Sequence, residues 1–283
     1  MPKLIIVAGP TAVGKTAYAV RLAREFGTEI VSCDSRQFYS EMNIGVARPA
    51  PDELAAAKHH FVACRSVENP YNIYDYHRDA WTLLDELFAT HDTVVACGGS
   101  GLYIDALIAE PAVLPNPAPE LRAQLQQMPL EEKRAQLRML DPDYYSRVDL
   151  RNPVRLQRAL EVCLTAGRPY SVILAEQQSP VSPPFDVEIR ILEADNDNLR
   201  HRIDSRVDSM VADGLLEEVR SLLPFRHLNT LNTVGYREMF PVVDGTDTLE
   251  HAVGQIKLNT WHYARKQMTW LRRYSDAVHI SQV

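Results

Sequence analysis

Short apolar runs recur along the chain, each closed by a turn and followed by a stretch of helical period. Lys3–Ala8, Glu29–Cys33, Thr93–Ala96 and Val187–Ala194 read as strands. Helical periodicity fills the gaps, as in Ala17–Glu25 and Asp75–Phe88. Strand alternating with helix predicts the α/β class, a parallel sheet covered by helices. In such a sheet ligands sit at the carboxyl ends of the strands.

The alternation breaks in the middle of the chain. Two proline-rich stretches, Leu114–Pro119 and Ser179–Pro184, bound a segment that reads as helix throughout. One helix there is well signalled: Asn152 suits the N-cap, Pro153 the first helical position and Gly167 the end. The expected organisation is a core of residues 1–114 and 185–283, with an all-helical insertion of residues 115–184 hung on two stiff linkers. No internal repeat is present.

The first strand runs into Gly9-Pro10-Thr11-Ala12-Val13-Gly14-Lys15-Thr16, the G-x-x-x-x-G-K-[ST] spacing of a phosphate-binding loop. Its backbone N–H groups and the following helix N-terminus make an anion site. Lys15 adds a point charge for phosphate oxygens, and the Thr16 hydroxyl can ligate Mg2+. Nucleotide hydrolases usually add an apolar strand ending in Asp. Here Thr93–Ala96 leads into Cys97-Gly98-Gly99-Ser100, with no acid, and no Asn-Lys-x-Asp occurs. The pattern points away from a triphosphatase.

Other groups are less determined. Asp34 closes the second strand, where a carboxylate can act as general base, cap a helix or order a metal. Arg202 and Arg206 lie four apart and could clamp a diphosphate, or pair with Asp204 and Asp208. Arg151, Arg155 and Arg158 fall near one side of the insertion helix, which suits a nucleic-acid backbone or a solvated face.

The chain has 283 residues, 46% of them hydrophobic, enough for one large or two unequal domains. No apolar run approaches the roughly 20 residues of a membrane span, so no membrane association is expected. The apolar run at the N-terminus is too short for a signal peptide and ends in the phosphate loop. Cys33, Cys64, Cys97 and Cys163 form no ligand spacing and read as reduced core residues of a cytoplasmic protein. The net charge of −7 argues against a nucleic-acid partner. Yet His251–Ser275 holds no Asp or Glu while carrying Lys257, Arg265, Lys266, Arg272 and Arg273. A local basic face can bind phosphate on an acidic protein.

GPTAVGKT (9–16), SCDSRQFYSEMNIGVARP (32–49), GGSGLYIDAL (98–107), RNPVRLQRALEV (151–162), HRIDSRVDSMVADGL (201–215), VGYRE (234–238) and ARKQMTWLRR (264–273) occur in this order. The ordered set, spread over nearly the whole chain, resembles the bacterial tRNA dimethylallyltransferase (tRNA isopentenyltransferase) family. The resemblance implies a kinase-like phosphate-loop core and a helical insertion that grips the tRNA anticodon stem-loop. It implies transfer of a prenyl group from dimethylallyl diphosphate to N6 of the adenosine 3′ of the anticodon, in tRNAs reading codons that begin with U. Gly9, Pro10, Thr11, Ala12, Val13, Gly14, Lys15 and Thr16, with Arg206, match the diphosphate site, and Thr16 the Mg2+ ligand. Asp34 matches the general base, and Lys15, Thr16 and Ser100 complete the catalytic set. Asp34, Ser35, Arg36, Gln37, Ser100, Arg122, Val154, Arg155, Leu156, Gln157 and Arg158 match tRNA-contacting positions. A cytoplasmic monomer is expected.

Four positions depart from the family pattern: Val46 and Arg48 stand for a usual Thr and Lys, Pro153 for the Asp of Asn-Asp, and Ser100 for Thr. Two other functions share parts of the pattern. A small-molecule or nucleoside kinase would share the loop, and a non-catalytic RNA-binding protein would share the fold.

Overall fold

The structure, a computed structural model, describes residues 1–177 and 182–281. Ser179, Pro180 and Val181 of the second proline-rich stretch lie outside the described residues. In chain order the elements begin β1 (Lys3–Ala8), α1 (Lys15–Phe26), β2 (Ile30–Ser32), α2 (Pro51–Ala56) and β3 (His59–His60). They continue α3 (Ile73–Phe88), β4 (Thr93–Gly98), α4 (Gly101–Ile108), α5 (Pro119–Gln127), α6 (Leu130–Leu140) and α7 (Pro142–Arg147). Then come α8 (Pro153–Ala166), α9 (Tyr170–Glu176), β5 (Asp186–Glu193), α10 (Asn196–Ala212) and α11 (Leu215–Ser221). Finally α12 (Tyr236–Val243), α13 (Leu249–Leu271) and β6 (Val278–Ser281) close the chain.

The strands form one sheet in the order β3-β2-β4-β1-β5-β6, and every pairing is parallel. In β1, Leu4, Ile6 and Ala8 enter one apolar cluster and Ile5 and Val7 the other. Both faces are buried, so β1 reads as a continuous apolar run rather than an alternation. Tyr18, Ala19, Leu22 and Ala23 of α1 cover one face, and Tyr76, Ala80, Leu84 and Leu87 of α3 the other. Asn72 starts α3 by accepting from Tyr74 N and Asp75 N at 2.8 and 3.1 Å. β1 and β4 run side by side to Ala8 and Gly98, so the phosphate loop and the glycine loop emerge together at the carboxyl edge.

The chain divides into two compact units, one of Met1–Ala109 with Ser182–Val283 and one of Glu110–Val181. In the second, Leu125, Leu137, Leu156, Ala159 and Leu160 form the core. Asn152 Oδ1 accepts from Arg155 N at 3.2 Å, Pro153 opens α8, and Gly167 closes it at φ 65°. The buried Asp141 ties α7 to α9 by accepting from Tyr144 N, Ser171 N and Ser171 Oγ. The expectation of four core cysteines needs correction: all four are free, but Cys64 is exposed and Cys97 only partly buried. Among the described residues no helix is long and apolar enough to cross a membrane.

Candidate active site

The phosphate loop joins β1 to α1 through Gly14, which caps α1 at φ 97°, a conformation side chains rarely adopt. Lys15 Nζ donates to Pro10 O at 2.7 Å, so the lysine folds back over its own loop. Lys15 is partly accessible as a residue, yet its ammonium is desolvated. Burial lowers its pKa from 10.5 to about 8, and the positive charge of Arg206 pushes the same way. Asp34 and the Cys97 thiol oppose that shift. Arg206, on α10, donates from Nη1 to Thr11 Oγ1 at 3.3 Å, and burial lowers its pKa too. Two desolvated cations beside a helix N-terminus favour a multiply charged anion.

Asp34 follows β2 at the carboxyl edge of the sheet. Its Oδ1 accepts from Arg36 N at 3.0 Å. Oδ2 has no protein hydrogen-bond partner among the described residues. Ser100 Oγ accepts from Ser35 N and donates to Ser35 Oγ, both at 3.3 Å, and it also bonds the Tyr263 hydroxyl. Burial, with the nearby Asp34 charge, pushes Tyr263 up to about 12, so it stays a neutral phenol. Gln37 donates to Ala47 O at 3.0 Å and accepts from Ser32 Oγ, which ties it to the fold beside the cleft.

Two cavities meet at Thr11, Asp34 and Arg206. One, of about 170 Å3, is polar and lined by Lys15, Thr16, Asp34, Glu53, Arg206 and Gln267, among others. The other, of about 210 Å3, has a largely apolar wall that includes Val46, Val207, Met210, Val234 and Ile256. Asp34 therefore borders an anion-binding cleft on one side and an apolar cavity on the other.

The structure thus gathers Thr11, Gly14, Lys15, Thr16, Asp34, Ser35, Arg36, Gln37, Ser100 and Arg206 around one edge of the sheet. Arg122 and Val154–Arg158 belong to the second unit. Leu156 is a correction: it is fully buried in that unit's core, so its side chain packs and does not face a ligand. Val154 and Arg155 are exposed. Arg122, Gln157 and Arg158 converge on the buried Glu161, at 3.6, 3.1 and 3.2 Å. Arg48 donates from Nη2 to the carbonyls of Tyr39, Ser40 and Met42, so it braces a turn.

Three residues of the site carried no role in the sequence reading. Tyr263 and Glu53 line the polar cleft. Gln267 accepts from Thr11 N and donates to Gly99 O, both at 2.8 Å. A Cβ on Gly99 would lie 2.2 Å from Gln267 Nε2, so this contact needs glycine there. The available signal was spacing: Gln267 sits on the buried stripe Ala264–Gln267–Leu271, where a polar side chain stands out.

Residues 37–274 match the family model described as IPP transferase. The tRNA dimethylallyltransferase of Christiangramia forsetii is 46% identical over 275 residues, covering 95% of this chain and 90% of that protein. The crystal structure of tRNA delta(2)-isopentenylpyrophosphate transferase from Staphylococcus epidermidis is 26% identical with a TM-score of 0.71, covering 99% and 93% of the two chains. A eukaryotic dimethylallyltransferase acting on tRNA is 22% identical with a TM-score of 0.84, covering 99% and 74%, a likeness of fold. The chain belongs to the IPP transferase family.

Proposed function

We propose that this chain transfers the dimethylallyl group of dimethylallyl diphosphate to N6 of the adenosine 3′-adjacent to the anticodon, in tRNAs reading U-starting codons. The observation that carries the reading is the position of Asp34 between the polar cleft and the apolar cavity. A prenyl diphosphate has the same two halves. Its diphosphate suits Lys15, Arg206 and the loop amides, and its hydrocarbon tail suits the cavity of Val207, Met210 and Ile256.

The adenine amino lone pair is delocalised into the ring, which makes N6 a poor nucleophile. As the N6–C1 bond forms, the C1–O bond to diphosphate breaks and Asp34 accepts the N6 proton through its unpartnered Oδ2. Lys15 and Arg206 stabilise charge on the departing diphosphate. The target base must leave its stack to reach this edge of the sheet. Ser35, Arg36 and Ser100 are proposed to meet it there. Exposed Arg155, with Arg122 and Arg158, is proposed to hold the anticodon stem-loop, as phosphate contacts position a nucleic acid.

Mg2+ fits this donor set. No group of three or more His, Cys, Asp or Glu side chains forms a cage among the described residues. Thr16 lines the cleft, and Mg2+ is commonly held by few protein groups together with substrate phosphates. When bound, it would neutralise charge on the leaving diphosphate. A cytoplasmic setting is supported by four cysteines that are all free. Transfer of label from dimethylallyl diphosphate into unmodified tRNA tests the reading, and phosphoryl transfer from ATP in its place would refute it.

A further inference from the structure

We infer that Glu218 is a positioning residue that fixes one wall of the apolar cavity and thereby limits the length of allylic tail the site accepts. The inference rests on the donor proposed above. Glu218 lies on α11, outside both cavities. Its Oε2 accepts from Ile44 N at 2.7 Å and Asn43 N at 3.2 Å. Its Oε1 accepts from Gly45 N at 3.0 Å and from the Tyr236 hydroxyl at 2.6 Å. Consecutive backbone N–H groups converging on one anion form the kind of nest that elsewhere holds phosphate. Here the protein supplies the anion itself. No cation pairs with this carboxylate among the described residues, whereas its neighbour Glu217 pairs with Arg220.

The loop so held is Asn43–Arg48. Its far end is fixed by Arg48, bonded to three carbonyls of the preceding turn, and its middle by Gln37, bonded to Ala47 O. Tyr236 is fully buried and lies against Gly45, where a Cβ would come within 2.5 Å of its ring. Between these anchors Val46 and Ala47 line both cavities, facing a wall that includes Met210 and Ile256 across the apolar one. A loop tied at both ends cannot withdraw to admit a longer tail. With the Glu218 end released, Val46 can move outward while Gln37 still holds Ala47, and the cavity can extend past its present 210 Å3. Glu218→Gln is the sharp variant, because its amide keeps the shape but presents one donor to a ring of donors.

The test uses the full-length protein as wild type, Glu218→Gln and Tyr236→Phe, the last removing a single donor so that a folded variant is assured. Amide hydrogen exchange is read at Asn43, Ile44 and Gly45, and kcat/KM for dimethylallyl and geranyl diphosphate is measured with unmodified tRNA. In Glu218→Gln, protection at the three amides should fall by about tenfold or more while β1 stays protected. The preference for the five-carbon donor should drop by about tenfold, since size discrimination in a pocket depends on walls that do not yield. Tyr236→Phe should move both readouts the same way and less far. Equal loss of rate for both donors makes Glu218 merely structural and overturns the inference, as does unchanged amide exchange. Absence of transfer by wild type from either donor would count against the proposed function, while the exchange measurement would still decide whether Glu218 holds the loop.

Discussion

The backbone N–H of Thr11 donates to Gln267 Oε1 at 2.8 Å, although 256 positions separate the two residues. Through its other end Gln267 donates to Gly99 O, so one buried side chain joins the phosphate loop, the loop after β4 and α13. Gln267→Ala leaves a loop N–H and a carbonyl unpaired, at a cost of about 1–3 kcal/mol for each buried group. Lower thermal stability and a raised KM for the prenyl diphosphate are expected together. Gln267→Glu keeps the bond from Thr11 but sets a buried carboxylate oxygen against Gly99 O and adds negative charge to the anion-binding cleft, so its effect on KM should be larger.

Lys15 predicts a proton uptake. Its folded-state pKa is lowered from 10.5 to about 8, so between these values the unfolded chain binds more protons than the empty fold. Stability from this group therefore rises with pH across that window, and the burial penalty is fully present below it. A bound diphosphate should restore the charged ammonium, and binding near pH 9 should take up a proton. Calorimetric titration in buffers of different ionisation heat measures it directly. Lys15→Met should abolish the uptake and slow transfer by ~10²–10³-fold, the common worth of one well-placed electrostatic group. A wild-type protein that binds donor at pH 9 without proton uptake contradicts this assignment.

Asp34→Asn should separate chemistry from binding. The amide keeps an acceptor for Arg36 N but cannot take a proton at neutral pH. Single-turnover transfer should slow by ~10²–10⁴-fold, the usual worth of general-base assistance. Affinity for tRNA should change far less. A variant that loses mainly tRNA affinity would make Asp34 a recognition residue.

Binding of tRNA should weaken steeply with salt despite the net charge of −7. Arg265, Lys266 and Arg272 have no ion-pair partner among the described residues, while Lys257 pairs with Asp208. Arg155→Glu, at an exposed arginine with no ion pair among the described residues, should reduce the salt slope by about one to two with little effect on stability. Arg158→Glu would set a second carboxylate beside the buried Glu161 and should also destabilise the insertion. A slope unchanged by Arg155→Glu would identify that arginine as solvated surface.

What could be read from sequence was local. β1 has the predicted bounds, Lys3–Ala8, because two buried faces leave an unbroken apolar run. The phosphate loop and the caps of α8 are contiguous patterns whose geometry lies within a few residues. β3 and β6 went unread, since His59–His60 is two residues long and Val278–Ser281 is mostly exposed, which leaves no apolar signature. Leu156 falls in a contiguous stretch that the family resemblance matches to tRNA, but on a helix its neighbours face elsewhere and it turns into the core. The roles of Gln267 and Glu218 depend on partners more than a hundred residues away, and nothing near them in sequence states the pairing.

The proposed reaction modifies one atom of one nucleoside. Unmodified tRNA reading a U-starting codon is incubated with the protein, Mg2+ and dimethylallyl diphosphate, then digested by a base-specific nuclease and analysed by mass spectrometry. One prenyl group per tRNA is expected, confined to the fragment holding the adenosine 3′ of the anticodon and released as N6-isopentenyladenosine on complete digestion. Prenylation elsewhere, or unmodified tRNA after long incubation with folded, donor-binding protein, would contradict it.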